Sequence, residues 1–232
     1  ISLFFIWQSN LHNEASVAQN LKNTANQTAS LSNAELQRHI DGLNTISQVL
    51  KSDSNINLQP FLAVLSNQYQ LFSSLIATNS EGDIQRAAPY QYSLQLNSLD
   101  LPNVAFRDYF KDAKTSMLPV VSDVLVGRGF GSSLLISLAS PITSNGFFNG
   151  IVQGSITLES LSEFYRDKLS SDYLFVITDN KGRIIARSEQ LNYAYLSNFD
   201  YIDFQHDLVK QIPSLRFNEA EYLYQQSSTN NG

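Results

Sequence analysis

A run of charged and aromatic residues beginning at Arg107 is the part of the chain best suited to contact a small molecule. The guanidinium of Arg107 could present its two-pronged donor fork to a carboxylate. Tyr109 and Phe110 could form an aromatic wall that carries one hydroxyl group. The alternative is structural, with Arg107 paired to Asp108 or Asp123 and both rings in the core. Spacing alone leaves both interpretations open.

Residues that could catalyse a reaction are few and scattered. His12 and His39 lie far apart on a predicted helix, neither has a second ligand four residues later, and His206 is distant from both. Residues 127–131 are rich in glycine but lack the full dinucleotide-binding pattern, so we interpret them as a hairpin connection. The absence of cysteine excludes thiolate metal sites. We therefore predict no catalytic residues, no metal site and no cofactor, and we expect the chain not to be an enzyme.

The composition predicts a folded, acidic chain. Its 232 residues are 43% apolar and 11% aromatic, which is enough to fill a core. The formal net charge is −6. A nucleic-acid surface would need clustered Lys and Arg to neutralise phosphates, so we expect no nucleic-acid partner.

The first seven residues are uncharged, and a polar segment comes after them from Gln8. They are too few to span a bilayer, which takes roughly twenty. One interpretation is the outer end of a transmembrane helix, with Trp7 at the lipid–water interface. The other is the buried start of a helix in a soluble protein. Composition does not separate the two.

Residues 9–50 contain no proline, and their apolar residues recur at helical spacing. These positions are Val17, Leu21, Leu31, Leu36, Ile40, Leu43, Ile46 and Leu50. The segment predicts one long helix with many polar residues between the apolar ones. Such a helix could form a weak dimer contact or lie on its own domain, and both interpretations stay open.

Residues 75–84 and 175–184 carry the same pattern at an offset of 100 residues. The identical pairs are Thr78 with Thr178, Gly82 with Gly182, and Ile84 with Ile184. Each copy is preceded by an amphipathic helix and is typical of a hairpin with a glycine in its turn. The repeat predicts two duplicated α+β lobes, and a chance match of two hairpins is the alternative.

Two more strands, 134–141 and 148–158, are predicted to extend the first sheet. Gly150 and Gly154 lie inside the second of them, and glycine in a strand often marks close approach of another group. About fifty residues remain after Gly182. We therefore expect the second lobe to be smaller or truncated.

Several short motifs, in this order, resemble the double Cache family of tandem PAS-like extracytoplasmic sensor domains. The motifs are residues 107–113, 121–124, 127–129, 136–142 and 150–156. Each is weak alone, but the ordered set is fairly specific and the likeness covers nearly the whole chain. The resemblance implies an α+β fold: a long N-terminal helix followed by two PAS-like lobes with antiparallel sheets. It also favours the transmembrane interpretation of residues 1–7.

The resemblance implies three parts. Residues 1–58 would hold the end of a transmembrane segment and a long signalling and dimerisation helix. Residues 59–157 would form the membrane-distal lobe and residues 158–232 the membrane-proximal lobe. Transmembrane helices outside this chain would flank it, placing it on the outer side of a bacterial inner membrane.

Ligands of the family usually lie in the distal lobe, between its sheet and the covering loops. The implied contacts here are Arg107, Tyr109, Phe110, Asp123, Arg128 and Ser155. Members that bind amino acids typically have Trp-Tyr where this chain has Tyr109-Phe110, and an Asp where it has Ser155. Without that carboxylate an ammonium group would be desolvated with little compensation. A small anionic or polar ligand is therefore expected instead.

The expected function is a sensor that signals across the membrane to a cytoplasmic output domain such as a histidine kinase or a diguanylate cyclase. A parallel homodimer through the long helix would fit this role. The alternative is an interaction or dimerisation module with an empty pocket.

Overall fold

The computed structural model describes most of the chain. The described residues are 2–8, 14–52, 57–89, 91–92, 103–128, 130–199, 204–205, 214–217 and 220–228. The helices are α1 (Glu14–Ser52), α2 (Leu58–Gln68), α3 (Asp108–Ser116) and α4 (Leu158–Lys168). The strands are β1 (Ser2–Gln8), β2 (Ser74–Thr78), β3 (Ile84–Ala88), β4 (Val120–Val121), β5 (Leu125–Val126), β6 (Leu134–Ser144), β7 (Phe147–Thr157), β8 (Tyr173–Thr178), β9 (Ile184–Arg187), β10 (Phe204–Gln205), β11 (Ser214–Phe217) and β12 (Ala220–Ser228). A long N-terminal helix with antiparallel sheets confirms the predicted α+β class.

The chain divides into two compact units. The first lobe is Leu36–Ser160, and the second lobe is Ile1–Glu35 together with Leu161–Gly232. Helix α1 supplies residues to both. The predicted distal lobe, 59–157, falls inside the first lobe, while the predicted boundaries at 58 and 157 stay predictions.

The sheet of the first lobe is antiparallel, in the order β3-β2-β7-β6-β4, and β5 also pairs with β6. Side chains alternate between its two faces, as they do on any strand. On one face Ser140 hydrogen-bonds to Asn44 and Ser47 of α1, at 2.6 and 2.9 Å between side-chain oxygens. This face therefore packs on the helix. The opposite face carries the polar residues of the candidate site.

Gly154 of β7 faces the helix side of the sheet and shows why a small residue is needed there. A Cβ atom added to it would lie 2.3 Å from the ring of Phe72. The Phe72 ring in turn contacts the imidazole of His39 on α1, with 4.8 Å between ring centroids. The close approach predicted at Gly154 is confirmed, and the approaching group is an aromatic ring.

Helix α1 buries an apolar side in each lobe. Its buried residues recur every three or four positions, as one face of a helix requires. They include Leu21, Ala25, Ala29, Leu43, Ile46 and Leu50. The helix therefore lies on its own domains. A dimer contact through α1 remains a prediction.

Residues Ser2–Gln8 form strand β1, which pairs with β8 on one side and β12 on the other. Both helical interpretations of residues 1–7 are therefore wrong. A short apolar run is ambiguous because its periodicity fits a buried strand as well as a helix, and aromatic and β-branched residues favour strands. Among the described residues, no helix combines the length and apolar character needed to cross a bilayer.

The sheet of the second lobe has the order β10-β11-β12-β1-β8-β9. Strand β1 pairs in its interior, so the N-terminal segment contributes a strand to this sheet. The count of residues after Gly182 did not include that strand, although the second lobe still holds fewer residues than the first.

The two predicted hairpins have the same local structure, which confirms the repeat. In each, the pairing register shifts just before the threonine, and Thr78 pairs with Ile84 as Thr178 pairs with Ile184. The turn glycines Gly82 and Gly182 both have positive φ, +87° and +76°. Only glycine adopts this conformation without strain, so its presence in both copies has a physical cause.

Candidate ligand-binding site

The first lobe contains a cavity of about 410 Å³. Strands β2, β6 and β7 form its floor, and the start of α3 forms one wall. Residues from 125–128 and 130–131, together with Tyr92, form the covering side. The volume lies at the small end of the range for ligand pockets.

The floor of the cavity is polar although it is deeply buried. Ser74, Ser155 and Ser137 are neighbours across three adjacent strands. Gln153 lies two residues from Ser155 on the same face, and its Nε2 donates to Ser137 Oγ at 3.0 Å and to Ser155 Oγ at 2.9 Å. These four residues are 8% exposed or less. Buried hydroxyl and amide groups are retained when they are hydrogen-bonded, as here, or when they contact a ligand.

Two guanidinium groups mark the mouth. Arg107 immediately precedes α3, and its Nη2 donates to the Val126 carbonyl oxygen at 3.0 Å. The Cζ atoms of Arg107 and Arg128 lie 5.0 and 5.8 Å from the centroid of the Phe106 ring. A cation over an aromatic face is held by the ring quadrupole. Phe106 is 52% exposed, so this cluster lies at the entrance.

Tyr109 and Phe110 are adjacent on α3 and therefore point about 100° apart. Tyr109 lines the cavity, and burial raises the pKa of its hydroxyl to about 12 although the charge of Arg107 opposes the shift. Tyr109 is therefore a neutral donor at physiological pH. Phe110 belongs to the core, where its ring meets Phe148 edge-on with 5.4 Å between centroids.

The structure brings together four of the six predicted contacts: Arg107, Tyr109, Arg128 and Ser155 all line the cavity. Phe110 and Asp123 are not among the lining residues. Tyr109 and Phe110 both belong to the buried core cluster, as the structural alternative expected, but only Tyr109 also borders the cavity. Asp123 is exposed between β4 and β5. The alternative pairing of Arg107 with Asp108 is not formed, because Asp108 pairs with Lys111 at 3.1 Å.

Sequence reasoning missed several lining residues. A signal existed for Gln153, which lies two positions before the predicted contact Ser155 and therefore on the same face of β7. No local sequence pattern predicts that Tyr92 stacks on Phe130, with 4.4 Å between the ring centroids. The two residues are distant in sequence, so only the fold brings them together.

The charge of the cavity has one sign. Among the described lining residues are two arginines and no aspartate or glutamate. With low-dielectric walls around them, such groups favour an anion and disfavour a cation. No group of three or more histidine, aspartate or glutamate side chains in the described parts of the chain could hold a metal ion.

No protein-family model and no curated protein sequence matches the chain. Solved structures do match it. An extracellular ligand-binding receptor from Desulfohalobium retbaense DSM5692 has a TM-score of 0.65 and 16% identity, covering 88% of this chain and 39% of that one. This chain thus spans less than half of that receptor's length.

Two further matches cover nearly the whole of both chains. The ligand-binding domain of the Pseudomonas fluorescens chemoreceptor CtaA, solved with L-serine, has a TM-score of 0.64 and 14% identity, covering 92% of this chain and 97% of that one. The extracellular domain of the histidine kinase rpHK1S-Z16 has a TM-score of 0.67 and 14% identity, covering 94% and 96%. The chain therefore has the fold of these sensor domains, as the double Cache resemblance predicted.

Proposed function

We propose that this chain is the extracytoplasmic sensor region of a bacterial membrane receptor and that it binds a small anionic molecule in the first-lobe cavity. The observation that carries the proposal is the cavity's charge: two guanidinium groups at the mouth and no carboxylate among the described lining residues. A pocket built on this fold with this charge is suited to capture an anion.

Arg107 would be the principal contact. One of its nitrogens is held by the Val126 carbonyl, which fixes the guanidinium plane while leaving other N–H groups to donate. Phe106 packs on the same guanidinium and limits its contact with water. A charge-assisted hydrogen bond is stronger where water is partly excluded.

Binding at the floor would be communicated to α1 through β7. Gln153 and Ser155 face the cavity, and Gly154 between them faces the ring of Phe72. Phe72 contacts His39 of α1, so within the first lobe a shift of β7 would displace a side chain that packs on the helix. Because packed cores respond by discrete rearrangement, a small displacement here can bias the position of a helix.

The wider setting belongs to the same proposal. The similar structures include an extracellular ligand-binding receptor, the ligand-binding domain of a chemoreceptor and the extracellular domain of a histidine kinase. We place this chain in the periplasm, anchored in the inner membrane by helices outside it, with a cytoplasmic histidine kinase, diguanylate cyclase or chemotaxis domain as the output. A parallel homodimer through α1 would couple two such chains. The chain itself would carry no catalytic activity.

A thermal-shift screen of small carboxylates, amines and purines tests the proposal. A carboxylate should raise the melting temperature, since a ligand that binds only the native state stabilises it. Arg107→Ala should weaken its binding about ten- to a hundredfold, because a hydrogen bond to a charged group contributes about 1.5–3 kcal/mol.

Arg187→Ala is the matched control. Arg187 lies in the second lobe, where its Nε donates to the Tyr193 carbonyl and its guanidinium packs on Tyr195. This variant should leave the affinity unchanged. If Arg107→Ala binds the compound as tightly as the wild type, the site is wrong. If only amines or purines stabilise the chain, the ligand class is wrong.

A further inference from the structure

The hydroxyl groups on the cavity floor are arranged as donors. A serine hydroxyl has one hydrogen to donate and two lone pairs that can accept. On Ser137 and Ser155 one lone pair is occupied by an N–H of Gln153. Within the described part of the chain, neither Oγ has an acceptor for its hydrogen. Gln153 thus leaves both serines able to donate into the cavity.

The cavity therefore has donors at two depths. The outer set is Arg107 and Arg128, beside the half-exposed ring of Phe106. The inner set is the hydroxyl groups of Ser137 and Ser155, whose residues are 1% and 7% exposed.

The lining also includes apolar side chains that cannot satisfy a polar group. These are Ile76, Ile84, Leu125 and Leu135. A ligand with a short hydrocarbon middle and an oxygen-bearing group at each end would complement the outer donors, the apolar side chains and the inner donors.

We infer that the ligand carries two acceptor groups, a carboxylate at the arginine mouth and a second carboxylate or equivalent oxyanion at the serine floor, and that Gln153 sets this preference. The inference rests on the proposed function and narrows it from an anion to a short dicarboxylate class. It also excludes a free ammonium group. An ammonium would lose its hydration in a cavity that offers two guanidiniums and no described carboxylate.

Calorimetric titration of the wild-type chain with matched pairs of compounds tests the inference. The pairs are succinate with butyrate and glutarate with valerate, which differ only in the second carboxylate. L-Aspartate is compared with succinate, because it adds only the ammonium group. At least one dicarboxylate should bind about tenfold or more tighter than its monocarboxylate partner, the ratio expected for one added hydrogen bond to a charged group. Succinate should bind tighter than aspartate.

Ser155→Ala removes one inner donor and little volume. It should weaken the dicarboxylate about tenfold and leave the monocarboxylate unchanged, so that the preference disappears. Gln153→Glu should have the stronger effect, because a carboxylate there would accept both serine hydrogens and repel the second anionic group. If Gln153→Glu fails to fold, Ser155→Ala alone decides.

Ser140→Ala is the matched control, since Ser140 lies on the opposite face of the same sheet and bonds to α1. It should keep the wild-type ratio between the paired compounds. Equal affinity of the wild type for a dicarboxylate and its monocarboxylate partner would overturn the inference. So would an equal loss of affinity for the two compounds in Ser155→Ala, or a wild-type chain that binds none of the four paired compounds. The proposed function would survive those results if a different anion still bound through Arg107, and it would fall only if the Arg107 test failed.

Discussion

The two hairpins at 75–84 and 175–184 have the same backbone structure, but their side chains have different surroundings. In the first lobe, Ile76 and Ile84 line the cavity. Their counterparts at an offset of 100 residues, Val176 and Ile184, are covered by side chains from the segment after β9. That covering cluster contains Leu191, Tyr193, Tyr195 and Phe199.

The segments that come after the two hairpins account for the difference. After β3 the described chain continues to Arg107 and helix α3, which place a guanidinium group and a phenol in the lining of the cavity. After β9 it returns through a short 3-10 turn, Glu189–Leu191, and aromatic residues that pack directly on the strands. The same repeated unit thus borders a cavity in one copy and carries a packed cluster of side chains in the other.

Truncating the covering cluster should have the largest effect on stability. Leu191 is 3% exposed, so Leu191→Ala should lower the free energy of unfolding by about 2–5 kcal/mol through lost contacts and a new void. Leu135→Ala is the control, because Leu135 is only half-buried and already faces the cavity of the first lobe. It should cost about 1 kcal/mol.

Unfolding of both leucine variants in guanidinium chloride measures the loss in the free energy of unfolding. Circular dichroism follows the unfolding of both lobes, so the two variants are compared with the same signal. If Leu191→Ala costs no more than Leu135→Ala, the covering cluster does not fill the second lobe.

The turn glycines give a smaller effect that separates backbone strain from crowding. Gly82→Ala and Gly182→Ala each place a side chain at positive φ, which costs about 1–2 kcal/mol. The new Cβ of Gly82→Ala would also lie 2.6 Å from the Ala105 backbone nitrogen, whereas no atom of the described residues lies within 4 Å of a Cβ built at Gly182. Gly82→Ala should therefore be the worse variant by about 1–3 kcal/mol. Circular dichroism during denaturation compares them, and equal costs would contradict the difference.

The smallest expected effect is the dependence of stability on pH that Asp179 gives to the second hairpin. Burial raises the pKa of Asp179, but hydrogen bonds from Arg183 and the Lys181 backbone, with the Arg183 charge, outweigh it and hold the pKa below its ordinary value. A lowered folded-state pKa gives stability that is present above the unfolded value, about 3.9, and lost as pH falls through the folded value. The first hairpin has the neutral Asn79 at the matching position.

Asp179→Asn should therefore be less stable than the wild type at pH 7, and the deficit should shrink as the pH falls below about 4. Unfolding curves of both proteins at several pH values between about 7 and about 2.5 measure the deficit, a range that brackets the ordinary carboxyl pKa. The control is Asp167→Asn, which removes the same charge from a side chain that is 71% exposed. A deficit that stays constant with pH would show that Asp179 acts through shape alone.

Local patterns predicted much of the fold and part of the site. The Thr-x-x-x-Gly-x-Ile spacing identified both hairpins because a positive-φ turn needs glycine at one fixed position. Arg107 and Tyr109 were selected from the chemistry of their own side chains, and both line the cavity. Their contact with a ligand stays a prediction. Strand β1 was misread, since one of the strands that pair with it comes from the far end of the chain and a short apolar run has no decisive period.

The features that escaped prediction depend on contacts between distant segments. Ser137 and Ser155 become neighbours only when β6 pairs with β7 in one register, and Gln153 bridges them only then. A shift of one residue would turn every one of these side chains to the other face. Phe110 is not among the lining residues, and the sequence could not show this, since adjacent helical residues face different surroundings.

A crystal structure with the carboxylate that stabilises the chain most strongly tests the central claim most directly. We expect density for the compound in the first-lobe cavity, with a carboxylate at Arg107 and the other end at Ser137 and Ser155. The side chains of Leu191 and Phe199 should still cover the second hairpin. Density for the compound on the second lobe, or outside the cavity of the first, would contradict the claim.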